Sequence, residues 1–176
     1  MATKTIDDTW AEIRRHIDEL EERAESGEPR TRARLQDRID KLREEEASAW
    51  EAVREKAEAV DEQFRQLEID IAIAENRLAS ELADDATSFA EAVEAELHDW
   101  DAAIERLQTR AATKAREARE QAEAVIAALR RARNRAAERL TVLPASSDAW
   151  QEQKNRVTEA LDDLERNVRD AALKIK

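Results

Sequence analysis

The sequence has no cysteine, one glycine, two prolines and only six aromatic residues, four Trp and two Phe. Without cysteine there is no disulfide, thiol nucleophile or Cys-ligated metal, which fits a reducing compartment. Because Gly27 is the only glycine, a Gly-rich phosphate-binding loop is excluded. The N-terminus lacks the basic start and apolar run of a signal peptide, and no stretch approaches the roughly 20 apolar residues of a membrane span. We therefore expect a cytoplasmic protein.

Histidine is also scarce, and neither His16 nor His98 lies in a recognisable motif. A di-iron helical bundle uses Glu-x-x-His on two helices, whereas Glu12 stands four positions before His16 and Glu96 stands two before His98. No Ser-His-Asp arrangement can be assembled from the sequence. We predict no catalytic residue, no metal site, no cofactor and no enzymatic activity.

What the chain does have is charge and helix-forming residues. Charged residues make up 41% of its 176 residues, and nearly half of its apolar residues are Ala. This composition is typical of long helices that bury narrow apolar seams. We predict a single all-α domain over 1–176, an elongated antiparallel bundle of coiled-coil type. Its four helices are expected at about 6–26, 30–83, 88–141 and 148–175.

The predicted breaks rest on a few residues. Gly27 suits a left-handed helix end, and Pro29 suits the first turn of the next helix. Pro144 lies in the last break, and Ser88 with Glu91 forms a capping box that starts the third helix.

Apolar residues recur in steps of three and four along each helix, as expected for coiled-coil seams. Two consecutive steps of four mark stutters at Leu42-Glu46-Trp50 and at Ala111-Ala115. The seams are Ile6, Trp10, Ile13, Ile17, Leu20 and Ala24; Val53, Ala57, Val60, Phe64, Leu67, Ile71, Ala74 and Leu78; Phe89, Val93, Leu97, Trp100, Ile104, Leu107 and Ala111, resumed by Ala118, Ala122, Val125, Leu129, Ala132 and Ala136; and Val157, Leu161, Leu164, Val168, Ala171 and Ile175.

A hairpin turn at 84–87 would pair the two long helices and set Trp50 opposite Ala122. It would create a four-helix base and a two-helix tip, formed by about 62–110, with a surplus of apolar residues. We predict a twofold dimer through that tip; a kinked hairpin whose tip folds onto its own base is the alternative. The predicted oligomer contact comprises Ile69, Ile71, Ile73, Leu97 and Trp100, and the predicted base anchors are Trp10, Trp50 and Trp150.

The net charge of −12 is unevenly spread along the chain. Residues 30–43 carry 6 basic and 2 acidic groups, and 104–140 carry 10 and 5. Residues 44–103 carry 4 basic and 19 acidic groups. We expect the basic blocks to be neutralised internally, chiefly by acidic residues of the first helix, so nucleic-acid binding is not predicted. The acidic block is interpreted as a solvated surface, with a docking surface for a basic partner, a nucleic-acid decoy and adaptation to high salt as alternatives.

These observations predict a non-catalytic, self-associating coiled-coil scaffold or adaptor that acts through protein–protein contacts. One alternative is a coat on a lipid or hydrophobic particle. In composition and period the chain resembles, in general style, exchangeable apolipoproteins and the phasins that coat polymer granules. The other is an acidic docking protein for a basic partner.

Overall fold

The computed structural model describes residues 6–25, 27, 29–55, 60–141 and 147–175, except for the side chains of 6–7, 30–31, 51–55, 60–63 and 147–148. These residues form α-helices and no strand, which confirms the predicted all-α fold. The helices are α1 (Ile6–Glu25), α2 (Pro29–Glu55), α3 (Val60–Leu82), α4 (Ala86–Ala112), α5 (Arg116–Leu140) and α6 (Ser147–Lys174).

The helices belong to two compact units. Met1–Leu82 contains α1, α2 and α3, and Ala83–Lys176 contains α4, α5 and α6. Within each unit every helix packs against the other two, so each unit is a three-helix bundle. The elongated coiled-coil form and the single domain over 1–176 stay predictions.

The two long helices predicted at 30–83 and 88–141 are wrong, because each is divided into two. α2 and α3 pack against each other, which one continuous straight helix could not do. The residues that separate them, 56–59, lie outside the described part. α4 and α5 likewise pack against each other across a short connection at 113–115. The predicted pairing of Trp50 with Ala122 assumed two unbroken helices, and the division of these helices removes that premise.

The connection at 113–115 contains neither Gly nor Pro. Thr113 closes α4: its backbone N–H donates to Arg110 O at 3.3 Å and its hydroxyl donates to the same oxygen at 2.8 Å. Ala115 is then extended (ψ 154°) before α5 begins. Turning the chain here lets the apolar stripe of α5 pack on α4, and this burial outweighs the local preference of the sequence for helix. The stutter predicted at Ala111-Ala115 coincides with the break.

The start of α4 differs from the predicted capping box. The helix begins at Ala86, and the Asp85 carboxylate accepts from Thr87 N at 2.8 Å and from Ser88 N at 2.9 Å. Ser88 instead donates its hydroxyl to Asp85 Oδ2 at 2.7 Å. The hydrogen bonds from the backbone and hydroxyl of Ser88, with a further one from Thr87, hold the pKa of Asp85 below its usual value. Asp rather than Ser is therefore the N-cap, as the general preference of this position allows.

The first unit buries the seam predicted for α1 and most of that predicted for α3. Gly27, after α1, does not adopt the expected positive φ; it is buried, and its N–H bonds to Ala24 O at 3.1 Å. The buried core consists of Trp10, Ile13, Ile17, Leu20, Ala24, Leu35, Ile39, Leu42, Ala49, Phe64, Leu67, Ile71, Ala74 and Leu78. The seam side chains of Ile6, Val53, Ala57 and Val60 lie outside the described residues.

The second unit confirms the seams predicted for α4 and α6 at every position. In α5 the buried residues are Ala122, Ile126, Leu129, Ala132, Ala136 and Leu140. Ala118, predicted in the same seam, is exposed, and Val125 is half-buried. Full burial of a Leu, Val or Phe side chain contributes about 1.5–3 kcal/mol, so these stripes are the main source of stability in the unit.

Candidate functional site

Four of the five side chains predicted to form the contact between subunits are buried within the chain. Ile71 belongs to the core of the first unit, and Ile73, Leu97 and Trp100 are also buried. Ile69 alone is half-buried. An exposed apolar tip, the observation on which that contact depended, is absent from these positions, and the contact itself stays a prediction.

The three Trp residues predicted as base anchors lie in aromatic contacts of two different units. In the first unit the ring centroids of Trp10 and Trp50 are 5.0 Å apart, and those of Trp10 and Phe64 are 5.4 Å apart. In the second unit Trp150 meets Phe89 at 5.1 Å. Lys154 Nζ lies 5.8 Å from the Trp150 centroid and donates to Ala83 O at 2.8 Å. These contacts hold the starts of α1 and α6 against their neighbours.

Few side chains that could bind a metal ion or support catalysis lie together in the described part of the chain. No group of three His, Cys, Asp or Glu side chains there could hold a metal ion. His98 is exposed on α4, and His16 is half-buried on α1. Glu96 is a fully buried carboxylate, and its Oε1 accepts from Trp100 Nε1 at 3.1 Å, so it has a structural partner on its own helix.

Two arginines of the basic block at 30–43 form ion pairs within the first unit, and one of them, Arg43, pairs with acidic residues of the first helix as predicted. Arg43 donates to Asp18 at 3.0 Å and also bonds to Glu21. The hydrogen bond to Glu21, followed by that to Asp18, raises the pKa of Arg43 above its usual value. Arg34 lies 3.7 Å from Glu81, a residue of α3 that the sequence did not single out.

The basic block on α5 is mostly not neutralised by ion pairs within the described residues. Of the arginines between 130 and 139, Arg133 forms an ion pair, with Asp101 at 2.7 Å. Arg130 donates to the neutral side chain of Gln108, and Arg139 donates to the backbone oxygen of Arg156. Arg131 and Arg135 are exposed, and neither has a partner within the described ranges. Internal neutralisation therefore holds for one of these arginines only, as far as the structure describes the chain. We call Arg130, Arg131, Arg135 and Arg139 the basic face.

Helix α4, which packs against α5, carries exposed acidic side chains. Its outer positions, spaced three and four apart, include Glu91, Glu94, Asp101 and Glu105, all exposed. Asp101 binds Arg133, whereas the side chains of the three glutamates have no partner in the portion described. We call these four residues the acidic face.

The two faces overlap in height along the second unit at Asp101 and Glu105, whereas Glu91 and Glu94 lie at or beyond the level where α5 ends. Asp101 meets Arg133 and Gln108 meets Arg130, so the numbers of neighbouring residues on α4 and α5 sum to between 234 and 238. By that register Glu105 lies level with Arg131, and Asp101 lies level with Arg135. Sequence reasoning missed this arrangement because it assumed one continuous helix at 88–141, on which the two blocks could not lie side by side.

The same unit contains a cleft of about 310 Å³ at the end where α5 begins. Its floor is largely apolar and its lining includes two ammonium groups. The lining residues are Lys114, Ala118, Gln121, Ala122, Val125, Lys174 and Ile175. The exposure of Ala118, unexpected from the seam, helps to open this cleft.

Among the described residues, every helix is too short or too polar to pass through a bilayer. Comparison with protein-family models, curated proteins and solved structures finds no match for this chain, so its function is argued from its own residues.

Proposed function

We propose that the protein is a non-catalytic helical scaffold that self-associates through the acidic face of α4 and the basic face of α5. One observation supports this most directly: exposed charges of opposite sign stand level with each other on neighbouring helices. Most of them have no carboxylate or arginine partner within the described residues. Each face is the electrostatic complement of the other, so a second copy of the chain is a suitable partner.

A twofold axis parallel to the helices would satisfy both faces at once. Such an axis preserves height along the helices, so the acidic face of one copy meets the basic face of the other, and the reverse. Glu105 of one copy would then oppose Arg131 of the second copy. In a twofold dimer every such pair occurs twice.

Exposed ion pairs contribute about 0.2–1 kcal/mol each, so several pairs give a weak complex. The attraction is screened over about 10 Å at 0.1 M salt. We therefore expect an association that weakens as salt rises. The proposal includes coiled-coil packing along the seams and a dimeric state. The scaffold role depends on both.

Two charge-reversal variants test the interface. Arg131→Glu with Arg135→Glu abolishes the net positive charge of the basic face and adds carboxylates to it, and Glu94→Arg with Glu105→Arg abolishes the net negative charge of the acidic face and adds guanidinium groups to it. Each variant alone should lose self-association, measured by light scattering at low salt. An equimolar mixture should associate again, because α4 of each variant then faces α5 of the other, and the substituted positions on the two copies have opposite charge.

Reversal of Arg166 and Arg169, exposed on α6 with carboxylate neighbours on their own helix, is the matched control and should leave the mass unchanged. Loss in each variant without recovery in the mixture would show that the two faces do not meet each other. A wild-type chain that stays monomeric at low salt would contradict self-association itself.

A second candidate follows from the acidic face alone. Glu91, Glu94 and Glu105 form one exposed stripe, which suits docking of a basic protein partner. In that case the basic-face variant would bind the partner as well as the wild type does, and the acidic-face variant would not. The coat-protein alternative stays a prediction. Within the described residues Leu173 is the one large apolar side chain that is exposed, so these residues offer no broad apolar surface to support a coat.

A further inference from the structure

The cleft at the start of α5 combines an apolar floor with two basic side chains. Its floor is formed by small or aliphatic side chains, including Ala122, Val125 and Ile175. Its lining also carries Lys114, which is half-buried, and Lys174, which is exposed. Among the described residues no carboxylate contributes to that lining, although the chain as a whole carries a net charge of −12.

The start of α5, which adjoins the cleft, has a partial positive charge, the same sign as the two lysines. α5 begins after Ala115, which has no side-chain oxygen to accept from the first-turn N–H groups. These groups give a helix start a partial positive charge, which favours a nearby anion. Ala118, in that first turn, also lines the cleft. The helix start adds to the field of the two lysines, and Glu117, the acidic residue of the same turn, is exposed and is not among the residues that line the cleft.

We propose that this cleft binds an alkyl carboxylate, such as a medium-chain fatty acid. The carboxylate would lie between the ammonium groups of Lys114 and Lys174, and the alkyl chain would lie on Ala118, Ala122 and Val125. Lysine suits this role because its aliphatic stem packs on apolar surface while its charged end stays in water.

The size and chemistry of the cleft favour this class over other anions. About 310 Å³ is at the lower end of the range for ligand pockets, so it suits a single chain. A small hydrated anion would leave the apolar floor uncovered, and an uncharged alkyl group would not use the lysines. The lining residues that the structure describes include no arginine, the residue that holds phosphate groups bidentately.

The cleft is distinct from the proposed self-association surface. It is lined by residues 114–125 of the α4–α5 connection and α5, with the end of α6, whereas the basic face occupies 130–139. Ligand binding and self-association can therefore be measured and can fail independently.

Calorimetric titration of the full chain with dodecanoate, below its micelle concentration, tests the proposal. We expect one site, and at least tenfold weaker binding of dodecyltrimethylammonium, which has the same chain and the opposite charge. Lys114→Glu with Lys174→Glu should weaken dodecanoate binding at least tenfold. Ala118→Phe should do the same by filling the cleft while leaving both lysines in place.

Lys41→Glu changes an exposed lysine of α2 and should bind dodecanoate like the wild type. Circular dichroism and thermal melting establish that each variant is folded before it is titrated. Equal binding of the anionic and cationic ligands would indicate general hydrophobic adsorption and overturn the proposal. Unchanged affinity in the double lysine variant would overturn it as well.

Discussion

At the residue scale, Trp10 takes part in both aromatic contacts described for the first unit. It is 5% exposed, touches Trp50 and Phe64, and has the Arg14 guanidinium 5.9 Å from its ring centroid. Arg14 in turn bonds at 2.6 Å to Glu46, which is buried. A polar residue in the α2 stripe is thus explained: its carboxylate is compensated by an arginine from α1. The indole nitrogen of Trp10 is buried and has no acceptor within the described ranges.

Trp10→Ala should lower the free energy of unfolding by about 3–5 kcal/mol, because it removes a large buried side chain and leaves a cavity. Trp10→Phe should have a much smaller effect, since it keeps an aromatic ring and removes an N–H that lacks an acceptor. Urea denaturation followed by circular dichroism measures both. The exposed neighbour Ala11, changed to Ser, is the control. Similar losses of unfolding free energy in Trp10→Ala and Trp10→Phe would contradict the packing described for Trp10.

At the scale of single elements, the α4–α5 connection decides the architecture of the second unit. It consists of ordinary helix-compatible residues, and only the phase of the apolar pattern changes there. Thr113 ends α4 with its own hydroxyl, and Ala115 occupies the N-cap of α5, where Ser, Thr, Asp or Asn is preferred. The start of α5 is therefore weakly capped.

Ala115→Ser should stabilise the chain by about 1 kcal/mol, because the hydroxyl can accept from a first-turn N–H of α5. In a continuous helix the same change would be mid-helical and slightly destabilising. The sign of the shift in a urea or thermal melt thus distinguishes the break from the long helix that the seams predicted. Ala112→Ser, on the exposed last turn of α4, should be slightly destabilising in either case.

At the scale of the whole molecule, each unit has its own apolar interior. In the second unit Phe89, Val93, Leu161 and Leu164 are fully buried, and α4, α5 and α6 all contact one another. A bundle with this closed set of contacts contains what a small domain needs to fold.

The fragment 83–176 should therefore be helical and should melt cooperatively. Fragment 83–141, which lacks α6, should not, because the α4 and α5 stripes would be exposed to water. Far-ultraviolet circular dichroism during heating measures both. A broad, non-cooperative melt of 83–176 would show that the second unit depends on the first, and would favour the single domain predicted over 1–176.

The sequence by itself determined which residues are apolar, in which phase they recur and where Pro29 and Pro144 interrupt the pattern. Those are local properties of the chain. The structure therefore agrees with the predicted seams of α1, α4 and α6, and with the predicted helix ends near residues 26, 29 and 141. The tertiary structure alone decided that the long seams fold back on themselves. A seam has the same period whether its partner is a distant helix or the next stretch of the same one, and no Gly or Pro marks 113–115. The acidic and basic faces and the cleft all follow from that reversal, because it is burial between helices, and not helix propensity, that brings α4 and α5 side by side.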